Sequence, residues 1–275
     1  TNVATTSIII PSTVTTIGSY AFKDCIAITS IILPINNLFT TIDEYAFRSC
    51  SSLVSIIIPD SVTLVGNFTF ANCIALTSII LPNNNLFTTI GFNTFLSCEN
   101  LTSIRTSNSL STTSIIPDSV SIIKGSAFRG CSRLTAITLP NNQSFITINE
   151  ATFFDCITLT SIIIPNSIRS IGAYVFYNCL TLASITLPTN NLFTTIGNNA
   201  FRGCTLVTSI TIPESVTSIG SDTFQDCYGL ITVYISDNKA MFLGNLDSKI
   251  WRSPLTLPAF DFYNAPLGVI LTPIV

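Results

Sequence analysis

The side chains in this sequence best suited to chemistry are nine cysteines. Each follows a phenylalanine by three positions: Phe22/Cys25, Phe47/Cys50, Phe70/Cys73, Phe95/Cys98, Phe128/Cys131, Phe153/Cys156, Phe176/Cys179, Phe201/Cys204 and Phe224/Cys227. Thiols can cross-link, ligate a metal or act as nucleophiles. The sequence contains no histidine to complete a zinc site or to activate a thiol or hydroxyl, and no C-x-x-C pair. An odd number of cysteines, most of them 23 or 25 residues apart, does not read as a small disulfide framework. The spacing suits a small buried hydrophobe better.

The carboxylates offer no stronger alternative. Asp24, Asp155 and Asp226 each adjoin a cysteine, but in repeats that are not neighbours, which favours a solvated turn over a glycosidase pair. No phosphate-cradling glycine loop or EF-hand spacing is present. The expectation is a protein that is not an enzyme and uses no metal or cofactor.

The elements that position the cysteines share their period. Prolines recur at Pro11, Pro34, Pro59, Pro82, Pro117, Pro140, Pro165, Pro188 and Pro213. The step from proline to the next cysteine alternates between 14 and 16, and the step from cysteine to proline is nine with one exception. The unit is therefore a pair of coils, one of 23 and one of 25 residues. The longer coils carry their two extra residues beside asparagines, which suit loops.

Within a coil, Leu76-Thr-Ser-Ile79-Ile-Leu81-Pro82 spaces apolar residues for one short strand, which proline ends because it cannot donate to a ladder. A second apolar pair, such as Phe39 and Ile42, precedes a compact turn. Phe and Cys three apart are predicted to lie on one face of a helical turn and to point inward.

The pattern L-x-x-I-x-I/L-P…I-G-x-x-A-F-x-x-C resembles the BspA-type, or Treponema pallidum-type, leucine-rich repeats over residues 5 to about 235. Departures are mild: Asp43, Lys124 and Asn149 replace the glycine, and Thr69, Thr94, Thr152, Val175 and Thr223 replace the alanine. The resemblance implies a β-rich (α/β-type) leucine-rich-repeat solenoid, a right-handed coil with one parallel strand per repeat. It also implies a surface adhesin or interaction scaffold. On this reading residues 1–235 form the solenoid and 236–275, with Trp251 and several prolines, form a C-terminal cap.

One coil is irregular. Cys98 to Pro117 is a step of 19 rather than nine, placing a polar insertion at Arg105 to Ser114. Loops on rigid scaffolds often carry function, but lengthening one costs little.

Seven residues after each cysteine, one strand position is expected to face the concave side: Ile32, Ile57, Ile80, Arg105, Thr138, Ile163, Thr186, Thr211 and Tyr234, after Ile9. A serine column from Ser7 to Ser209 runs beside it. An apolar stripe edged by hydroxyls is a candidate binding face, although β-branched residues also simply favour strands. A threonine column through Thr15, Thr40, Thr63, Thr88, Thr194 and Thr217 suggests ice binding, but Ser121, Ile146 and Arg169 interrupt it.

Charge narrows the partners. With 11 basic and 14 acidic residues and no basic run, neither nucleic acid nor an anionic lipid surface is a natural target. No apolar run reaches the roughly 20 residues that span a bilayer, so no membrane insertion is expected. No leader-like segment opens the sequence, so any signal peptide is expected upstream or already removed. The sequons at Asn67, Asn100 and Asn142 could accept glycans in a eukaryotic secretory pathway. These readings converge on an extracellular or cell-surface module that binds protein or glycan along its concave sheet. The alternative is a structural protein that assembles with copies of itself.

Overall fold

The computed structural model describes residues 6–109, 113–236 and 270–274. The chain winds as a parallel-strand solenoid, one coil per repeat. Among the described residues no segment is helical.

Three ladders run along the solenoid. The principal sheet begins with Ser7–Ile9, Ser30–Ile32, Ser55–Ile57, Ser78–Leu81 and Ser103–Thr106, all parallel. It continues through Ser114–Ile115 paired with Ile137–Thr138, then Ser161–Ile163 with Ser184–Thr186, then Ser209–Ile212 with Thr232–Ser236. Serine lies opposite serine from coil to coil, as in Ser7↔Ser30, Ser30↔Ser55 and Ser55↔Ser78. The second ladder is built from two-residue strands such as Thr16–Ile17, Thr41–Ile42 and Leu64–Val65.

The third ladder contains the Phe-x-x-Cys stretches, and it corrects the expected helical turn. In Phe68 to Cys73 the backbone N–H groups alternate in role. Those of Phe68, Phe70 and Asn72 donate across to carbonyls of the next coil at 2.7–2.9 Å, whereas those of Ala71 and Cys73 close local turns on carbonyls three residues back at 3.1 Å. The alternation requires two left-handed residues per turn, here Phe68 (φ 57°) and Asn72 (φ 60°). The residue before each cysteine is always Asp, Ser, Asn or Gly, and of these Asp, Asn and Gly enter this region readily. Phe and Cys still point inward, as expected, and Phe70 and Cys73 are fully buried.

The core is one continuous stack. Neighbouring phenylalanines lie nearly parallel, for example Phe153 and Phe176 with centroids 5.6 Å apart and Phe176 and Phe201 at 5.5 Å. A second core position alternates with coil length: Phe39, Phe87, Phe145 and Phe193 in long coils, Val62, Val120, Ile168 and Val216 in short ones. The longer coil encloses more cross-section, and the larger side chain fills it. The threonines that replace alanine are buried but satisfied; Thr69 Oγ1 donates to the Gly66 carbonyl at 2.7 Å.

In the long coils asparagine closes the loop. Asn84 Nδ2 donates to the carbonyls of Asp60 and Val62, both at 2.8 Å, while its Oδ1 accepts the N–H groups of Leu86 and Phe87. Asn142 makes the same four bonds. The final described strand, Ile270–Ile274, runs parallel beside Thr232–Ser236. The remainder of the expected cap, 237–269 and 275, lies outside the described residues.

Candidate binding face

Alternation along each principal strand decides which side chains are presented. Ile31, Ile56, Ile79, Ile104, Ile162 and Ile210 turn into the core, so the residue after each turns outward. Ile9, Ile32, Ile57 and Ile163 are 71, 53, 61 and 71% exposed, high for β-branched apolar side chains in strands. Arg105, Thr138, Thr186 and Thr211 are also exposed, and Ile80 and Tyr234 are half-buried. Strand pairing sets Ile9 beside Ile32, Ile57 beside Ile80, Ile80 beside Arg105, Ile163 beside Thr186, and Thr211 beside Tyr234.

The column breaks at one expected junction. Arg105 does not meet Thr138; Ile115 does. The strand Ser103–Thr106 ends at a turn, and the chain returns as Ser114–Ile115 before rejoining the repeat at Pro117. Ser114 then occupies the register that isoleucine fills elsewhere. It is buried, accepting the Ile104 N–H at 3.1 Å and donating to the Thr102 carbonyl at 3.2 Å. The insertion therefore adds a strand segment to the sheet. Ile115-Ile116-Pro117 repeats the usual strand ending, so Ile115 was detectable as a column member. Ser107 anchors the outgoing chain to the Asp60 carboxylate at 2.9 and 3.1 Å.

Two depressions open on this face. One, of about 270 Å³, is lined by Ile31, Ile32, Leu33, Ile35, Ile56 and Ile57 with Ser30, Ser55 and Pro59 at its edges. The other, of about 580 Å³, involves Thr138, Ile163 and Thr186 from the column, with Asn141, Ser161 and Asn166 among its polar lining.

The thiols are not presented on this face. Eight of the nine are fully buried, and Cys25 is half-buried. Burial pushes the thiols of Cys50 and Cys227 up to about 12 and moves the other six upward too. Such groups stay protonated at neutral pH and are poor nucleophiles. Among the described residues no cluster of three or more His, Cys, Asp or Glu side chains gathers to hold a metal.

The sequon asparagines are already engaged. Asn67 Nδ2 donates to Glu44 Oε1, and its Oδ1 accepts the Phe92 N–H; its partner Thr69 is fully buried. Both Nδ2 hydrogens of Asn142 serve the closure bonds described above. Asn100 makes a single Nδ2 bond, to the Ile74 carbonyl. On the second ladder, Thr63 and Thr217 point their hydroxyls back to the carbonyls of Thr40 and Thr194, and Leu64 and Ile122 break the hydroxyl surface.

One group escaped the sequence reading. On the turn face Arg129 lies over Phe154 (4.3 Å), Phe154 stacks on Tyr177 (4.6 Å between centroids), and Arg202 lies over Tyr177 (5.7 Å). All four stand two positions before a cysteine, so the periodic sequence carried the signal. Tyr20, Tyr45 and Phe68 form a similar stack with 4.8 Å steps.

Comparison with known families is decisive for the repeat. The family model described as the BspA type leucine rich repeat region matches residues 1–114 and 107–231. The chain belongs to the BspA-type leucine-rich-repeat family. A leucine-rich repeat protein from Bacteroides ovatus is 30% identical, with a TM-score of 0.70 over 83% of this chain and 63% of that one. The chain thus spans about 63% of the length of that relative. The Treponema pallidum leucine-rich repeat protein is 21% identical with a TM-score of 0.52, covering 74% of this chain and 78% of that one. A Faecalibacterium prausnitzii protein described as a leucine rich cell surface protein is 25% identical at TM-score 0.46, over 86% of this chain and 74% of that one. No curated protein sequence matches the chain. The BspA-type family is a repeat scaffold, and the match indicates no enzymatic family. Among the described residues no helix is long and apolar enough to cross a membrane.

Proposed function

We propose that this chain is a non-enzymatic recognition module, acting outside the cell or on its surface, that binds protein or glycan along the principal sheet. The observation that carries the reading is the outward column itself. Ile9, Ile32, Ile57 and Ile163 remain more than half exposed on a rigid face although the core has no need of them. Exposed apolar side chains grouped on one face characteristically mark interaction surfaces. In this reading residues 1–235 supply the recognition solenoid and 236–275 its terminal cap.

Self-assembly is the second reading, favoured by the apolar run Ile9, Ile32, Ile57 and Ile80, which two copies could pack face to face. Attachment of purified protein to cells and immobilised matrix, compared between the wild type and an Ile57→Asp, Ile163→Asp double variant, tests the proposal. Monomeric wild type that attaches, with the variant losing attachment, supports recognition. Concentration-dependent fibres in electron microscopy, abolished by the same substitutions and without attachment, overturn it in favour of assembly.

A further inference from the structure

Many side-chain amides and hydroxyls bond from coil to coil. Asn142 bonds back to Asp118 and Val120, Thr158 to Ser132, Thr160 to Thr135, and Thr181 to Ile157 and Leu159. The larger depression on the principal sheet gathers several side chains that do not, as the sheet's Ser55, Ser78 and Ser184 also do not among the described residues. The hydroxyls of Thr138, Ser161 and Thr186 and the side-chain amide of Asn141 line it, are exposed, and bond to no other described residue. Asn166, also exposed, uses its Oδ1 for the Thr189 N–H and hydroxyl, and its Nδ2 bonds to no other described residue. Ile163 stands among them, 71% exposed.

We infer that this groove takes a neutral oligosaccharide. The inference rests on the recognition reading above only in taking the sheet face as the binding surface. Among the described residues no Lys, Arg, Asp or Glu lines the groove, which gives a sulfated or carboxylated glycan no charge to pair with there. Its hydroxyls and amides both donate and accept, which matches sugar hydroxyls that do the same. The Ile163 side chain supplies an apolar contact for the C–H face of a sugar ring. The volume, about 580 Å³, falls in the range of small-molecule sites.

A peptide is the weaker fit. Peptides that add to sheets use an unpaired strand edge, and this groove lies on a sheet face. Protein hot spots favour Trp, Tyr and Arg, none of which lines the groove among the described residues. Without an aromatic platform each site binds weakly, and useful strength comes from polymeric ligands or clustered copies of the protein.

The test is an NMR titration of the full chain with cellohexaose, laminarihexaose and mannohexaose, with a heparin-derived hexasaccharide as the anionic probe. Ile163→Arg blocks the groove without touching the core, Thr186→Val removes one hydroxyl at nearly constant shape, and Leu64→Arg, at an exposed position on the second ladder, is the control. Saturable shifts confined to the groove with a neutral hexasaccharide are expected, weakened about tenfold or more by Ile163→Arg. Weakening by Thr186→Val and indifference to Leu64→Arg are expected as well. Binding of the heparin fragment alone, binding that survives Ile163→Arg, or no neutral binding overturns the assignment. If Ile163→Arg abolishes cell or matrix attachment while no neutral sugar binds, the recognition face stands and the carbohydrate assignment falls.

Discussion

The Cys98 thiol donates to the main-chain carbonyl of Phe70, 3.1 Å away and 28 residues earlier in the chain. The same bond joins Cys73 to Phe47, Cys156 to Phe128 and Cys227 to Phe201. Each cysteine from Cys50 onward thus ties its coil to the one before, and the thiol proton is what makes the bond.

That proton gives the stability a pH dependence. The Cys50 thiol rises from 9.0 to about 12 in the fold, so on raising the pH the unfolded chain ionises first. The folded state then binds more protons, and stability falls with increasing pH. The thiol contribution is fully present below pH 9 and is lost towards pH 12. Chemical denaturation at pH 7, 9 and 10.5 is expected to show a midpoint that begins to decline by pH 9, where half of the unfolded thiols are ionised, and is lower still at 10.5. In thiol labelling at pH 8, Cys25 is expected to react first and the other eight only after unfolding.

The phenylalanine stack predicts a graded response along the solenoid. Phe128 packs between Phe95 and Phe153, with centroids at 5.3 and 5.5 Å, and is fully buried. Phe128→Ala is expected to cost about 3–5 kcal/mol by leaving a cavity that the rigid coils cannot close. Phe22 is only half-buried, so Phe22→Ala is expected to cost distinctly less. Equal losses in urea denaturation would contradict a cost set by how deeply each ring is buried.

Ser114 holds the inserted strand segment. Replacing it by alanine leaves the Ile104 N–H without its acceptor, at an expected cost of about 1–3 kcal/mol. Hydrogen exchange at Ile104 is expected to accelerate in Ser114→Ala while exchange in the coils before Ser78 stays unchanged.

The three sequons are expected to differ in occupancy when the chain passes through a eukaryotic secretory pathway. A glycan on Asn142 removes a donor hydrogen needed by two carbonyls, whereas Asn100 has only one bond to keep. Site-resolved mass spectrometry is expected to find Asn100 the most occupied. Asn142→Asp, which lacks both donors, is expected to lower the melting temperature, and Asn100→Asp to leave it nearly unchanged.

The regular parts of the molecule were legible because stacking is translational. Once Phe, Cys and Pro recur at one interval, each must meet its own kind in the next coil, and Phe153 against Phe176 follows directly. The outward column was legible for the same reason, since side chains alternate along a strand. The cysteine turn was only half legible. Asp24, Asn72 and Gly130 announce a left-handed residue, but Tyr20, Tyr45 and Phe68 adopt the same conformation without looking like turn residues. Alternating bonds to the next coil hold them there, and no local preference encodes those bonds.

Where the repeat is broken or varied, the tertiary structure decided. The route of the insertion set Ile115, not Arg105, beside Thr138 and put a serine in an isoleucine's place. Packing of unlike neighbours made Arg129, Phe154, Tyr177 and Arg202 one stack and gave Asn142 its four bonds. Sequence by itself determined the repeating core, because a periodic chain allows its apolar residues only one common register. Which variable side chains are engaged and which stay open on the surface depends on partners a full coil away, and those contacts exist only once the coils are stacked.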